Sequence, residues 1–277
     1  MKGKMLIFAP LCLLLCWMLP VGSKKISYIS SPQKANEIIP LSMAKDAVDD
    51  MYLGCNKTMM TMVKDKYFKE EHKGAFAKLW KKAQSCANRK LEHEDRGDEA
   101  LTKDHKQAIC VYTSDDLKFY EKFNEAVRTN KSIYGTSFPY HSLHFWLTSA
   151  IQILNNNKNC LITYRRTNTK FSGNVNQIIR FGFFASSSRE PNLTNFGKTT
   201  CFKIKTCSGA FLKKYPRLKD KEQEVLIPPY EKFNITKKME KKKQFVEHLS
   251  DCEIVYDLRS AGVQSNLDCD VARLPTK

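Results

Sequence analysis

This 277-residue sequence has few histidines, no paired cysteine motif and no repeated segment. Only six histidines are present, no two cysteines form a Cys-x-x-Cys pair, and no histidine stands at zinc-ligand spacing from a cysteine. No internal repeat and no low-complexity linker divides the chain. We therefore expect no metal site, no solenoid and no loosely tethered domains.

Long hydrophobic runs are confined to the N-terminus. Two lysines precede an apolar run over residues 5–19, and small residues follow it. The run is shorter than the roughly 20 residues of a membrane-spanning helix, so it predicts a secretory signal peptide over residues 1–23. No hydrophobic tail ends the sequence, so neither a GPI anchor nor a terminal membrane helix is expected. These features predict a secreted, extracellular protein without a stable membrane anchor.

Acidic residues are outnumbered by basic ones, 29 against 46, which gives a formal charge of +17. Part of the excess lies in a lysine-rich run over residues 237–243, for which a solvated loop is the simplest prediction. A basic extracellular surface favours weak binding to anionic glycans. A secreted basic nuclease would also be cationic, but no pair of catalytic histidines stands out, so nucleic acid is not expected as a substrate.

Ten cysteines are present, and two of them lie within the predicted signal peptide. The others would enter an oxidising compartment, where disulfide pairing is the default, although their spacing alone leaves the connectivity open. Sequons for N-glycosylation support the same destination, and they begin at Asn56, Asn130, Asn192 and Asn234.

The pattern of the sequence changes near residue 160. Between residues 42 and 154 apolar side chains recur at helical spacing, most clearly from Leu143 to Leu154. Beyond this point, short runs of β-branched and aromatic residues alternate with turn-forming clusters. The predicted strands are Cys160–Arg165, Ile178–Ser186, Thr200–Thr206, Glu222–Ile227 and Glu253–Leu258.

We therefore predict an α+β fold. An N-terminal, mainly helical lobe over residues 24–158 would pack on a C-terminal, mostly antiparallel β-sandwich over residues 159–277. The cleft between the two lobes is the expected ligand site.

Three segments of the β lobe place chemically active residues at strand ends. Tyr-Arg at residues 164–165 ends one predicted strand, Phe-Ala-Ser-Ser-Ser at 184–188 ends another, and Glu-Gln-Glu at 222–224 opens a third. Taken singly, the arginine suits a surface ion pair and the serine run suits a polar turn. Because strand side chains alternate between faces, Glu222 and Glu224 are predicted to share one face. Such a pair is either solvated at an edge or forms the wall of a site for a cationic group.

The order and spacing of these segments resemble the vertebrate arginine-specific ecto-ADP-ribosyltransferases, whose signature is an arginine, then a serine, then Glu-x-Glu. The resemblance covers nearly the whole mature chain and implies one catalytic domain over residues 40–265. Several long motifs in the same order are hard to obtain by chance. The further segments that resemble family motifs are residues 47–55, likened to the opening helix of the family, and residues 143–148, 180–188, 205–210 and 224–231.

The resemblance implies a mono-ADP-ribosyltransferase that modifies arginine side chains of extracellular or secretory-pathway proteins and releases nicotinamide. NAD, or its phosphorylated form NADP, would be the co-substrate, and arginine-containing proteins would be the acceptors. The resemblance implies no metal cofactor, and a monomer is expected.

The same resemblance assigns roles to individual side chains. Arg165 would bind the phosphates of NAD through its planar guanidinium. Ser186 would hold the catalytic strand and the ribose in register through its hydroxyl. Glu224 would stabilise the positive charge that develops on the ribose, and no general acid is needed because nicotinamide leaves as a neutral molecule. Glu222 would orient the acceptor guanidinium and assist removal of its proton.

Three further positions either complete the NAD site or depart from the family pattern. Phe196 resembles the aromatic residue that packs on nicotinamide, although a loop residue covering the core would look the same. Arg166 stands where the family usually has glycine; its backbone amide would still meet the nicotinamide amide, but its side chain is expected to crowd the pocket. Phe183 stands where a glutamine is common.

The resemblance also implies two disulfides, Cys55–Cys252 and Cys160–Cys207. The pairing of the remaining cysteines stays open, and these are Cys86, Cys110, Cys201 and Cys269.

Two other functions fit the same residues. If water replaced arginine as the acceptor, the protein would be mainly an NAD glycohydrolase, a reaction that requires Glu224 but not Glu222. A catalytically silent binding protein would keep the fold and the basic surface, and the departures at Arg166 and Phe183 favour it. The presence of the complete arginine, serine and Glu-x-Glu set argues against a silent protein.

Overall fold

The computed structural model describes residues 38–90, 97–114, 116–156, 159–240 and 248–273. The predicted signal peptide and residues 241–243 of the lysine-rich run lie outside the described residues. The first half of the chain is helical, with α1 (Asn56–Met62), α2 (Phe68–Glu71), α3 (Gly74–Ala87), α4 (Lys103–Tyr112), α5 (Phe119–Thr129) and α6 (His141–Asn155). A π-helical turn, Val63–Tyr67, joins α1 to α2.

Helix α6 lies at the centre of the helical half. Twelve of its fifteen residues are buried, so the helix is surrounded by other elements rather than lying on the surface. Its Trp146 packs on Trp80 of α3 with ring centroids 4.8 Å apart. The helix ends at Asn155 because Asn156 adopts a left-handed conformation with φ 42°. The predicted apolar helix over residues 143–154 is therefore confirmed.

The strands, apart from the first, lie in the second half of the chain. They are β1 (Ile38–Pro40), β2 (Leu161–Thr167), β3 (Lys170–Ser172), β4 (Ile178–Arg180), β5 (Ala185–Ser188), β6 (Thr200–Thr206), β7 (Ala210–Phe211), β8 (Glu224–Ile227), β9 (Glu231–Glu240) and β10 (Ile254–Val263). Strands β1 and β3 form a small parallel pair. The other eight form one sheet in the order β4-β9-β10-β6-β2-β5-β8-β7.

The eight-stranded sheet consists of two parts that meet at a single residue pair. Tyr164 of β2 lies opposite Ser188 of β5, and the described part of the chain has no second pair between these two strands. Five strands, from β4 to β2 in sheet order, lie on one side of this junction, and β5, β8 and β7 lie on the other. The α+β class is confirmed, and the sheet is mixed because β6 and β10 run parallel.

Two local predictions are wrong because the chain adopts left-handed turns. Residues 47–54 contain no helix, since Tyr52 has φ 56°, and α1 begins only at Asn56. The predicted strand Ile178–Ser186 is divided into β4 and β5 by Gly182, which has φ 69°. A side chain at this glycine would meet the Cβ of Ala44 at 2.3 Å, so the turn also depends on close approach of the backbone.

The lysine-rich run is the third wrong prediction. In its described part it is not a loop, because β9 continues through Lys237 and Lys238 to Glu240. Phe233 and Ile235 earlier in the strand are buried, whereas the two lysines are exposed. Consecutive residues of a strand point to opposite faces, so the end of β9 is exposed on both faces, and a high charge does not exclude a strand there.

The four disulfides are Cys55–Cys269, Cys86–Cys110, Cys160–Cys207 and Cys201–Cys252. The Cys160–Cys207 pair is confirmed, but the implied pair Cys55–Cys252 is wrong. Cys55 precedes α1, and the C-terminal segment that carries Cys269 lies beside it. Cys252 instead packs with Cys201 of β6 in a separate small hydrophobic cluster.

Buried Asp49 holds the C-terminal segment to the rest of the protein. Its carboxylate forms a 2.5 Å ion pair with Arg180 and accepts hydrogen bonds from the backbone N–H groups of Asn266 at 2.8 Å and Leu267 at 3.1 Å. These donors satisfy a charge that would be costly to bury alone. The segment over residues 264–273 therefore packs against the turn before α1.

The neighbouring Asp50 makes stability depend on pH. Burial raises the pKa of Asp50 from 3.8 to about 6, although Tyr134 donates a 2.7 Å hydrogen bond and the Cys269 N–H donates another at 2.9 Å. A raised folded-state pKa contributes stability that is complete below pH 3.8 and is lost as the pH rises through 6. We expect this carboxyl to lower the free energy of unfolding by about 3 kcal/mol across that window.

Urea unfolding between pH 4 and pH 7 measures this effect. The Asp50→Asn variant lacks the ionisable group, so the stability difference between it and the unmodified protein should change across the window. A difference that stays constant with pH would contradict the assignment.

Candidate active site

Arg165 lies inside the sheet, close to the junction of its two parts. It follows Tyr164 on β2, lies opposite Phe202 of β6 and is 2% exposed. Its Nη1 donates a 2.5 Å hydrogen bond to the carbonyl oxygen of Ser186, and its guanidinium lies 5.8 Å from the centre of the Phe183 ring. The side chain therefore ties β2 to β5, and Phe183 supports it from one face.

Arg166 points to the opposite side of β2, because strand side chains alternate. Its guanidinium forms a two-point ion pair with Asp251 at 3.0 and 3.1 Å, and its Nε donates to the carbonyl oxygen of Pro191 at 2.7 Å. Burial opposes ionisation of Asp251, but the hydrogen bonds and charge of Arg166 hold its pKa below the ordinary value. The side chain is thus held on the face of β2 opposite to Arg165, where it also contacts the loop that carries Phe196.

Ser186 is contacted by a side chain from the helical half. Tyr112, at the end of α4, is fully buried and donates a 2.5 Å hydrogen bond to the carbonyl oxygen of Phe184. The Ser186 Oγ donates to the same tyrosine oxygen at 3.4 Å. Asn124 of α5 also donates to the tyrosine oxygen, at 3.1 Å, and to the Phe184 carbonyl oxygen, at 3.2 Å. Two helices thus fix the start of β5.

The charges of two predicted catalytic residues act on Tyr112. Burial raises the pKa of Tyr112 to about 12; the charge of Glu224 also raises it, whereas Arg165 and the hydrogen bond from Ser186 lower it. The hydroxyl is therefore neutral at physiological pH and remains a hydrogen-bond donor. Sequence reasoning missed this residue because a tyrosine at helical spacing resembles an ordinary core residue.

Ser188 holds the backbone of both predicted glutamates at the end of β5. Glu224 lies opposite Ser188 in the β5–β8 register and is 3% exposed. The Ser188 Oγ donates a 2.6 Å hydrogen bond to the carbonyl oxygen of Glu222, and the Ser187 Oγ donates at 2.9 Å to the carbonyl oxygen of Val225. The serine run is thus a set of cross-strand ties and not a polar turn.

Glu222 lies near Glu224 for a different reason than the predicted one. Strand β8 begins at Glu224, and Gln223 has φ 45°, so the alternation of strand faces does not extend to Glu222. The half-buried Glu222 is instead near the end of the loop over residues 212–223, where Ser188 holds its backbone. The prediction that both glutamates project from one strand face is wrong.

Phe196 lies in the short 3-10 helix Thr194–Phe196 between β5 and β6. It is 6% exposed but belongs to neither hydrophobic cluster of the described residues. The following Gly197 has φ 133° and packs so closely on Thr167 of β2 that an added Cβ would lie 2.3 Å from the Thr167 carbonyl carbon. The loop therefore closes over the end of β2, two residues beyond Arg165.

The remaining predictions concern glycosylation, metal binding and membrane-spanning helices. Among the sequons Asn192 is exposed, and Asn56, Asn130 and Asn234 are half-buried. Within the described ranges, no group of three or more histidine, cysteine, aspartate or glutamate side chains is arranged to hold a metal ion. The helices of those ranges are all too short or too polar to cross a membrane.

Comparison with known proteins gives consistent similarities. The family model described as NAD:arginine ADP-ribosyltransferase matches residues 41–252. Human ecto-ADP-ribosyltransferase 5 is 33% identical over 220 residues, which cover 74% of each chain. Mouse T-cell ecto-ADP-ribosyltransferase 1 is 34% identical over 71% of this chain and 68% of its own. The crystal structure of the eukaryotic mono-ADP-ribosyltransferase ART2.2 has a TM-score of 0.67 at 29% identity, covering 83% of this chain and 98% of that one.

These similarities, together with a buried arginine, a half-buried serine and a buried glutamate at a sheet junction, define an ADP-ribosyltransferase that uses NAD. A variant of ART2.2 solved in complex with NADH has a TM-score of 0.68 with this chain, also at 29% identity. The chain belongs to the NAD:arginine ADP-ribosyltransferase family. The predicted resemblance, the fold class and the enzyme class, with NAD as co-substrate, are thereby confirmed.

Proposed function

We propose that this protein transfers the ADP-ribosyl group of NAD to arginine side chains of extracellular proteins, with Glu224 and Glu222 acting on the donor and the acceptor respectively. One observation carries the proposal: the buried Glu224 lies opposite Ser188, in the strand pair that also brings Ser186 to Arg165. A single junction of the sheet thus holds a cation, a hydroxyl and a carboxylate.

The residues at this junction fit NAD. The Arg165 guanidinium offers a planar set of donors suited to a diphosphate. The half-buried Ser186 hydroxyl is placed to contact a ribose, and Phe196 is an aromatic ring outside the core clusters that suits a nicotinamide. The backbone amide of Arg166 remains a candidate contact to the nicotinamide amide, since its side chain is held elsewhere by Asp251.

Glu224 stabilises the positive charge that develops on the ribose as nicotinamide leaves. Its carboxylate is nearly excluded from water, so its field is screened far less than that of a surface glutamate. The hydrogen bonds from Ser187 and Ser188 to the β8 segment fix the backbone that carries it. Such fixed charge requires no rearrangement during the reaction.

Glu222 orients the acceptor. It is half-buried at the end of a surface loop, so it is accessible to a protein side chain in a way that Glu224 is not. A carboxylate matches an arginine guanidinium in charge and in fork geometry, and it can accept a proton as nitrogen attacks. Glu222 therefore selects arginine over water.

Secretion is part of the proposal. The signal-like N-terminus, four disulfides and relatives named as ecto-enzymes all support an extracellular location. The sequon at Asn192 is exposed on the loop that carries Phe196, and a glycan there would restrict large acceptors.

The test is incubation of the purified protein with labelled NAD and agmatine, a small guanidine. We expect an ADP-ribosyl-agmatine adduct formed in step with nicotinamide release. Nicotinamide release without an adduct would identify a glycohydrolase instead, and no consumption of NAD would refute the proposed activity in favour of a silent binding protein.

Tyr112 provides a separate prediction. The Tyr112→Phe variant removes the hydroxyl that contacts Ser186, while Asn124 still donates to the Phe184 carbonyl oxygen, so the fold should be retained. We expect kcat for transfer to fall about tenfold, because loss of one hydrogen bond that orders the site is worth about 1 kcal/mol or somewhat more.

The matched control is Tyr256→Phe. Tyr256 is equally buried and donates to the carbonyl oxygen of Phe171 at 3.1 Å, away from the junction. The Tyr256→Phe variant should lose about as much thermal stability as Tyr112→Phe, but its kcat should not fall. Equal kcat values for the two variants would show that Tyr112 acts only through stability.

A further inference from the structure

The loop over residues 212–223 connects β7 to β8 and ends next to the catalytic strand. Its base is closed by a 2.9 Å hydrogen bond from the Leu212 N–H to the carbonyl oxygen of Glu224. Lys213, Lys219 and Gln223 have positive φ values of 53°, 58° and 45°, so the loop is a series of tight turns. Because Glu222 belongs to this loop, an arginine bound by Glu222 lies beside the loop.

The helical half holds the loop in place. Arg89, which follows α3, donates to the carbonyl oxygens of Lys214 at 3.0 Å and Pro216 at 3.4 Å. The Arg217 N–H donates to the Thr113 Oγ1 at 2.8 Å. These contacts fix the loop backbone before any acceptor arrives.

Tyr215 provides a second anchor. Its hydroxyl donates to Asp98 at 3.0 Å, and its carbonyl oxygen lies 3.5 Å from the Sγ of Cys110, in the disulfide with Cys86. Lys213 also binds Asp98, at 2.7 Å, so the charge of this one lysine is neutralised within the protein. The loop is thus ordered before a partner binds, which reduces the entropy cost of binding.

The exposed side chains of the loop are mainly cationic. Asp220 is the one fully exposed acid among loop residues 212–223, and the exposed basic residues are Lys214, Arg217, Lys219 and Lys221. Burial and the charge of Arg217 lower the pKa of neighbouring Arg89, which indicates crowding of like charge. Positive charge therefore dominates the outer face of the loop.

Arg189 extends the same surface from the end of β5. Its N–H donates to the carbonyl oxygen of Gln223 at 3.0 Å, and its exposed guanidinium lies 4.9 Å from the centre of the Phe211 ring. This hydrogen bond places Arg189 beside the end of the loop, next to Glu222. We call these five side chains the cationic rim: Arg189, Lys214, Arg217, Lys219 and Lys221.

We propose that the cationic rim selects acceptor proteins whose target arginine is flanked by aspartate or glutamate. This inference rests on the proposed function and adds the class of acceptor. Glu222 lies in the loop that carries four of the five rim cations, so residues next to an arginine bound there lie close to the rim. Charges within about 8 Å of each other still interact in physiological salt. Acidic flanks are attracted and basic flanks repelled, so polybasic proteins are poor acceptors although they are rich in arginine.

The test uses two peptides that each contain a single arginine and differ only in their flanks, aspartate and glutamate in one and lysine in the other. N-acetylarginine amide, which has no flanking residues, is the reference acceptor. We expect kcat/KM for the acidic peptide to exceed that for the basic peptide by about tenfold or more in low salt, and the ratio to decrease at high salt.

A charge-reversal variant tests the rim itself. The double variant Lys219→Glu and Lys221→Glu should lower the ratio of acidic to basic peptide rates or invert it. The matched control, Lys237→Glu with Lys238→Glu, changes the same charge on β9, at a distant position in the sheet order. It should leave the ratio unchanged.

The outcomes separate the two proposals. Transfer to N-acetylarginine amide with equal peptide rates, or with a ratio that the loop variant does not change, would overturn the acceptor preference alone. Absence of transfer to every guanidine would refute the proposed function, and the acceptor preference with it.

Discussion

Replacing Glu224 by glutamine is expected to reduce both transfer to agmatine and hydrolysis of NAD by about a thousandfold. The amide keeps the shape of the side chain but removes a negative charge that is almost wholly buried. Loss of one preorganised electrostatic group in a site shielded from water costs about two to three orders of magnitude in kcat. Nicotinamide release, measured with and without agmatine, reports both reactions.

The control for this variant is Glu253→Gln. Glu253 is exposed just before β10, so the same chemical change occurs away from the junction. Both variants should unfold at nearly the temperature of the unmodified protein. If Glu224→Gln retained a tenth or more of the NAD hydrolysis, Glu224 could not be the group that stabilises the charged ribose.

The elements that bury a continuous apolar face are the ones that could be predicted from sequence. Helix α6 and strand β6 were located to within a few residues, because their side chains are buried in a regular period. Strand β9 was not predicted at all. Lys237 and Lys238 are exposed, and the two buried apolar residues Phe233 and Ile235 were too few to outweigh the charges of the segment.

The candidate site was predictable where the sequence resembles the motifs of a known family. That resemblance identified Arg165, Ser186 and Glu224, and the fold brings them to one junction. The position of Glu222 depends on the left-handed conformation of Gln223. The alternation of side chains along a strand does not predict such a residue. The contact from Tyr112 to Ser186 spans 74 positions in sequence and depends on how the helices pack on the sheet.

The pairing of most cysteines could not be predicted from sequence either. Cysteine spacing leaves many connectivities open, and the choice is made by which strands and termini meet in space. Buried Asp49 and Asp50 bind the backbone N–H groups of residues 266, 267 and 269, and this brings Cys269 rather than Cys252 to Cys55. Neither aspartate has a sequence signature that reveals this role.

Replacing Glu222 by glutamine is expected to separate the two reactions. Transfer to agmatine should fall by a hundredfold or more, since a charge-assisted, two-point contact to the guanidinium and the proton acceptor are both lost. Hydrolysis of NAD should stay within about twofold, because Glu224, Arg165 and Ser186 are unchanged and water needs no orienting carboxylate of this kind.

The matched control is Asp220→Asn, which removes an exposed acid from the same loop two residues earlier. It should leave both reactions nearly unchanged, so a loss specific to Glu222→Gln cannot be attributed to the charge of the loop as a whole. If transfer and hydrolysis instead fell together in Glu222→Gln, the two glutamates would act as one unit on the ribose. Arginine selectivity would then not depend on a separate carboxylate that binds the acceptor.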